Sequence, residues 1–241
     1  MKENIQENSN AVVNLSDEPE VKKILVDTVL GLWQIVNNLT RLRPSKRDRY
    51  RVTIFGSARI QPDSFAFQEV KRLAGVLTTM GCDVVTGGGP GLMLAANEGA
   101  ASASGAGKTG SVGIRVDLPF EQEVNPFVQE VYEHGTFFTR LHHFVLTSDA
   151  FVVTPGGIGT LLEAAMIWQL LQVRHLKDVP LIFIGKMWND LVEWVSKNML
   201  TATPKLISPE DISIAVCAKD ADEAIALLQH HQNQWLIANE T

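Results

Sequence analysis

Short apolar runs alternate with longer amphipathic stretches from residue 52 almost to the C-terminus, and this alternation sets the expected architecture. Runs at 52–55, 83–86, 111–116, 150–154, 180–184 and 212–217 have the length and branched composition of buried strands, and a short extended stretch is expected near 127–132. Between them, 65–80, 91–104, 137–146, 160–172, 188–199 and 221–230 carry helical periodicity. Strands that are apolar on both faces and separated by helices predict an α/β fold: a doubly wound parallel sheet with helices on both faces. Upstream, residues 1–16 are polar and rich in Asn and Glu, the composition of a disordered tail. Leu25, Val29, Leu32, Val36 and Leu39 then recur at spacings of three and four, predicting an amphipathic helix over about 17–42. Its apolar stripe needs a partner, either its own domain or a second subunit. A basic run follows, Arg41, Arg43, Lys46, Arg47, Arg49 and Arg51, read either as a solvated linker or as an anion site. The expected organisation is a tail (1–16), a helix and basic linker (17–50), a single sheet domain (51–232) and a C-terminal tail (233–241).

With 45% hydrophobic residues in 241, the chain can bury a full-sized core as one domain. A formal net charge of −6 argues against partners that need a positive field, so neither nucleic acid nor an acidic membrane is expected. No apolar stretch approaches the roughly 20 residues of a membrane span, and the N-terminus has no hydrophobic signal core; a cytoplasmic protein is expected. Cys82 and Cys217 sit in apolar runs and read as reduced core residues. No metal site is expected: His142 and His143 are adjacent, so they point to different helix faces, and His134 has no matching carboxylate spacing. One or both of His142 and His143 could still line a pocket near Arg140, while Trp168 and Trp188 read as helix-packing residues.

Candidate chemistry lies in three glycine turns, each placed where a strand gives way to a helix. They are Gly56-Ser57-Ala58-Arg59, Gly87-Gly88-Gly89-Pro90-Gly91 and Gly156-Gly157-Ile158-Gly159-Thr160. In a doubly wound sheet the carboxyl ends of the strands share one edge, so all three turns open on one crevice. Glycine-rich turns leave backbone N–H groups at the positive end of a helix, which favours an anion, with phosphate the leading candidate. Ser57 and Thr160 add hydroxyl donors. Glu163 lies about one turn inside its helix and leans back toward the loop, so the ligand should present sugar hydroxyls or a developing cation there. That pairing suggests a nucleotide. Neither Gly-x-x-x-x-Gly-Lys-Ser/Thr nor the dinucleotide fingerprint occurs, which leaves a mononucleotide as the simpler ligand.

The combination of Gly56-Ser57-Ala58, Thr86-Gly87-Gly88-Gly89-Pro90-Gly91, Ala95-Ala96-Asn97, Leu118-Pro119-Phe120-Glu121-Gln122 with Asn125-Pro126, Phe137-Phe138-Thr139-Arg140 and Pro155-Gly156-Gly157-Ile158-Gly159-Thr160 to Glu163 resembles the LONELY GUY family, often mislabelled lysine decarboxylases. The similarity runs from about residue 52 to 185. It implies a Rossmann-like homodimer, or a higher homo-oligomer, that hydrolyses the N-glycosidic bond of nucleoside 5′-monophosphates such as AMP or cytokinin riboside monophosphates, releasing base and ribose 5-phosphate without a cofactor. Carried over by position, the catalytic pair falls on Arg140 and Glu163, the phosphate loop on Gly156, Gly157, Gly159 and Thr160, and further nucleotide contacts on Gly56, Ser57, Gly87, Gly88, Gly89 and Gly91, with Glu121 and Asn125 as substrate-binding candidates. The chemistry agrees: cleaving a ribosyl bond builds positive charge on the sugar, which a carboxylate stabilises, and a permanently charged Arg can hold the ligand or the departing base. Decarboxylation through a pyridoxal Schiff base finds no lysine in a suitable pattern at Lys108, Lys177 or Lys186.

The chain departs from the family at Leu141, where a Lys usually follows the catalytic Arg, and at Leu94, Leu162 and Met166, where acids are frequent. These changes predict a less charged pocket, with the loss of one charge-assisted bond worth about 1–3 kcal/mol. They also keep open a second function class, a non-catalytic carrier of a nucleotide or phosphorylated cofactor, and a third, a nucleotide sensor that docks through its N-terminal helix.

Overall fold

Residues 16–39, 48–105, 110–117 and 123–240 are described by the structure, a computed structural model. The polar segment 1–15, the basic residues Arg41, Arg43, Lys46 and Arg47, Lys108, and the candidate Glu121 lie outside the described residues. The chain divides into two units, Met1–Ser45 and Lys46–Thr241. In the first, Glu18–Leu39 forms helix α1, with Glu18 and Glu20 at its positive end.

In the second unit, β1 (Arg51–Phe55), β2 (Asp83–Thr86), β3 (Ser111–Val116), β4 (Glu130–His134), β5 (Ala150–Val153), β6 (Leu181–Ile184) and β7 (Ala215–Ala218) form one sheet. All pairings are parallel, in the order β4-β3-β2-β1-β5-β6-β7. Side chains alternate between its faces. Val52, Ile54, Val84, Val152 and Ile182 enter one core layer beneath α2 (Phe65–Thr79), α3 (Leu92–Ala103) and α8 (Ala221–Glu240). Phe55, Val85, Phe151, Val153 and Phe183 enter the other beneath α4 (Phe137–Thr147), α5 (Ile158–Gln172) and α6 (Lys186–Val195). Each fully buried side chain of this size contributes roughly 1.5–3 kcal/mol, which is why neither strand face can tolerate solvent. Sequential strands run outward from β1 to β4, and the chain then returns to place β5 on the other side of β1. The crevice at that reversal is where ligands bind in open α/β sheets.

Several element boundaries differ from the sequence reading. The extended stretch expected at 127–132 is displaced to β4, where Glu130 through His134 pair with β3 along the sheet edge; His134 therefore ends a strand instead of lying in a loop. Residues 209–213 form a short helix, α7 (Pro209–Ser213), started by a reciprocal capping box between Ser208 and Asp211, so Ile212 and Ser213 are helical and β7 begins only at Ala215. Helix α8 continues through the expected C-terminal tail as far as Glu240. Gln232 on this helix donates to the Met80 carbonyl (2.9 Å), and Trp235 meets Tyr50 edge-on at 5.6 Å, so its last turns are tied to the domain. Helix α6 passes into a wider π turn at Ser196–Leu200. Cys82 is buried and Cys217 half-buried, both as free thiols. Among the described residues no helix is long and apolar enough to cross a membrane.

Candidate functional site

Helix beginnings divide into two kinds. Ser64, Thr136 and Ser208 cap α2, α4 and α7 with side-chain oxygens that accept N–H bonds from the first turn. Helix α5 starts instead at Gly157, with no side-chain cap, and its first turn faces a cavity of about 880 Å³ at the crevice between β1 and β5. An uncapped helix start bordering a cavity presents partial positive charge and spare donors to whatever enters.

Most of the candidate residues meet at this cavity. Gly56, Ser57, Gly87, Gly88, Gly89, Gly157, Gly159, Thr160, Arg140 and Glu163 line it. Gly91 and Gly156 stand behind the wall and shape it. A Cβ on Gly156 would lie 2.3 Å from the Thr160 Oγ1, so glycine is what lets the Thr160 side chain fold under the loop. The β1 and β5 turns are tied by a bond from Ser57 N–H to the Pro155 carbonyl (3.0 Å). Ser57 Oγ accepts from Arg59 N–H (3.1 Å), which leaves its own proton to donate.

Asn125 does not line the cavity. It is buried beneath the second glycine turn, where its N–H donates to the Gly88 carbonyl (2.9 Å) and its Nδ2 to Gly89 O and Asn97 Oδ1 (3.0 Å each). Asn97, with no exposed surface, is the hub of this cluster. Its Oδ1 also accepts from Thr86 Oγ1 (2.6 Å), and its Nδ2 donates to Ser111 Oγ (2.9 Å). Thr86 Oγ1 in turn accepts from Gly88 N–H (2.9 Å). The network thus holds the Gly87–Gly89 turn through groups that water cannot replace. Asn97→Leu is expected to destabilise the fold by about 2–4 kcal/mol, because it removes the acceptor for the Thr86 hydroxyl proton and for one Asn125 amide N–H and the donor to Ser111, all of them buried. Urea denaturation reads this directly.

Arg140 and Glu163 project from α4 and α5 on the same side of the sheet and meet at 3.3 Å (Nη2 to Oε1), with side-chain exposures of 11% and 12%. The guanidinium is fixed by a bond from Nε to the Ile114 carbonyl (3.0 Å) and lies 5.5 Å over the Phe144 ring. Burial raises the Glu163 carboxyl from its ordinary 4.5 to about 7, against the opposing pull of Arg140. A carboxyl poised near neutrality changes protonation state at low cost, as an acid–base group must. Gly87 makes room for this pair, since a Cβ there would fall 2.4 Å from Arg140 Nη2 and 2.7 Å from Met93 Sδ. Both atoms end flexible side chains. Gly87→Ala is therefore expected to shift the melting temperature little but to push Arg140 off Glu163 and lower turnover at least 10-fold, read by paired thermal and kinetic assays.

The histidines lie elsewhere. His134 Nε2 and His143 Nδ1 share a hydrogen bond of 2.8 Å beside Tyr132, and neither these nor His142 lines the cavity. Burial and the neighbouring His134 hold the His143 imidazole down at about 4, so the pair is neutral near pH 7. Among the described residues no group of three His, Cys, Asp or Glu is placed to hold a metal. Trp188 is buried and Trp168 packs against the core, in keeping with helix packing.

Leu141 is buried in the α4 face and Leu94 packs on the other core layer; Met166 packs inward and Leu162 is exposed. None of the four lines the cavity. Among the described residues the wall carries two cations that the sequence reading left without a role, Arg115 from β3 and Arg59 from the first turn, which join Arg140 against the acid Glu163. Met93 and Val124 supply apolar surface. No lysine lines the cavity among the described residues. An Arg inside a strand carries no spacing signature, and only the arrival of β3 at the crevice turns Arg115 into a site residue.

A family model described as "Possible lysine decarboxylase" matches residues 93–228, more than half of the chain. The probable cytokinin riboside 5′-monophosphate phosphoribohydrolase LOGL5 of Oryza sativa subsp. japonica is 29% identical over 184 residues, covering 75% of this chain and 72% of that protein. Its paralogue LOGL9, also named a probable phosphoribohydrolase of the same substrate, is 32% identical over 152 residues, covering 62% and 64%. A molybdenum cofactor binding protein from the phototrophic bacterium Rippkaea orientalis shares the fold, with a TM-score of 0.57 at 19% identity over 77% of this chain and 98% of that one. The chain belongs to the LONELY GUY family, the family whose sequence model still bears the lysine decarboxylase description.

Proposed function

We propose that the protein hydrolyses the N-glycosidic bond of a purine nucleoside 5′-monophosphate, releasing the free base and ribose 5-phosphate. One observation carries this reading: the uncapped start of α5 and the buried Glu163 one turn inside it border the same cavity, facing Arg140. The names of the similar phosphoribohydrolases support it. In this reading the 5′-phosphate rests on the amides of Gly157 through Thr160, with the Ser57 and Thr160 hydroxyls as further donors. The ribose then lies against Glu163. As the C1′–N bond lengthens, the sugar ring gains positive charge, which the Glu163 carboxylate stabilises while orienting the attacking water. Water delivers its oxygen to C1′, the bonding pair leaves with the base, and the water proton passes to the base nitrogen. Arg140 donates hydrogen bonds to the departing base and, fixed by Ile114, keeps Glu163 in place.

Incubation with a panel of purine nucleoside 5′-monophosphates, including AMP and a cytokinin riboside monophosphate, should yield free base and ribose 5-phosphate in equal amounts. Tight binding without either product would refute the hydrolase reading and leave the carrier function, to which the fold shared with a molybdenum cofactor binding protein is suited. The family resemblance also supports a homodimer or higher homo-oligomer, checked by light-scattering mass in solution.

A further inference from the structure

Helix α1 carries an apolar seam with the spacing of a two-stranded coiled coil. Within Glu18–Leu39, the residues Leu25, Val29, Leu32, Val36 and Leu39 follow one another at steps of four and three, a strict seven-residue repeat. Written as heptads, Leu25, Leu32 and Leu39 take the d positions, Val29 and Val36 the a positions, and Lys22 the a position before them. Leu25, Val29 and Leu32 are 61%, 63% and 57% exposed in the single chain, so this part of the seam stands open. Asp27 takes an f position, on the face opposite the seam. Gly31 lies in the middle of the helix, where it costs about 1 kcal/mol relative to Ala. Such a helix draws its stability from packing of its apolar face more than from propensity.

We infer that α1 pairs in parallel and in register with α1 of a second copy of this chain. Each seam side chain enters a hole formed by four residues of the facing helix, and Val at a with Leu at d is the combination that favours two parallel strands. Lys22 closes the seam toward the N-terminus, and a single polar a residue of this kind fixes register at some cost in stability. The helix has three acids, Glu18, Glu20 and Asp27, against Lys22 and Lys23, a poor match to an acidic membrane surface, which calls for a basic polar face. A seam of about two and a half heptads is short for a free-standing pair. Attached to a sheet domain that itself pairs, as the family resemblance supports, two copies of α1 meet at the millimolar effective concentrations of short links.

The test is disulfide cross-linking of the full chain under mild oxidation, with one new cysteine per variant. Cys82 and Cys217 are present throughout, and the unsubstituted protein gives their background. Leu25→Cys and Leu32→Cys should each form covalent dimers at least about 10-fold faster than Asp27→Cys, which faces away from the seam. The two seam positions lie about 10 Å apart along the helix, so an antiparallel pair brings at most one of them opposite itself. Adding Leu32→Glu to the Leu25→Cys chain should return its rate to the Asp27→Cys level, since a carboxylate at d would be buried against its twin. Cross-linking at both seam positions, cancelled by Leu32→Glu, supports the pairing. Equal rates at all three positions, cross-linking at only one of Leu25 and Leu32, or a rate that Leu32→Glu leaves unchanged each overturns it. None of these residues belongs to the proposed catalytic or binding groups, so the hydrolase reading stands or falls by its own assay.

Discussion

Glu163→Gln is expected to lower kcat for nucleotide cleavage by about 100- to 1,000-fold while leaving nucleotide binding intact, the loss seen when one group aimed at developing charge is removed. Glutamine keeps the shape and can still accept a ribose hydroxyl, so binding survives. What disappears is the negative charge facing the sugar as the bond breaks. The same residue predicts a pH profile. With its carboxyl raised to about 7, Glu163 is only half ionised near neutrality, and kcat/KM for the unsubstituted protein should climb through about pH 7 and level off above it. The 5′-phosphate completes its own ionisation near pH 6, so the inflection assigned to Glu163 is the higher one.

Stability should move the opposite way. A carboxyl whose folded value lies above its unfolded value leaves the fold unpenalised below about pH 4.5, and stability is lost progressively as pH rises through 7. Above that the ionised, buried Glu163 costs about 3 kcal/mol. Glu163→Gln should therefore gain stability over the unsubstituted protein at pH 8 and nothing at pH 4, measured by urea midpoints. A residue that weakens the fold under the conditions in which it is ionised is retained for its chemistry.

The largest structural effect is expected from Gly91→Ala, a loss of about 3–5 kcal/mol combining backbone strain and a clash in the packed interior. Gly91 has φ +67° and ψ −130°, a conformation only glycine adopts readily. A Cβ there would lie 2.2 Å from the Ser57 carbonyl oxygen and 2.6 Å from the Ala58 carbonyl carbon, both backbone atoms with no rotamer to yield. That contact joins the first two glycine turns, and Leu92 N–H donates to the same Ser57 carbonyl at 2.9 Å. Forcing them apart should weaken nucleotide binding as well as the denaturation midpoint. Gly89→Ala provides the comparison, because its Cβ would meet only Met93, at 2.8 Å from the flexible Cε, and should cost much less.

The sheet was readable because its strands are apolar on both faces and bounded by glycine turns. Ala150–Val153, apolar and buried at every position, shows this most plainly. The edge strand β4 was harder, since Glu130-Val131-Tyr132-Glu133-His134 alternates between half-covered and exposed and becomes a strand only through pairing with β3. Helix α7 is too short for periodicity, and its local signals were the capping box and Pro209 at its first position. At the site, glycine spacing located the turns because backbone approach leaves a compositional mark. Polar residues leave no such mark of direction: Asn125 supports a turn from beneath, whereas Arg115 reaches the cavity from within a strand. Which of two polar side chains faces a ligand depends on strand register and helix rotation, and those emerge only when the sheet assembles.

Where the phosphate and the sugar lie decides the matter most directly. A crystal structure of the Glu163→Gln protein soaked with a purine nucleoside 5′-monophosphate should show the phosphate on the amides of Gly157 through Thr160 and C1′ beside residue 163. A phosphate seated at the β3 end, or a ribose turned away from residue 163, would contradict the proposed reaction.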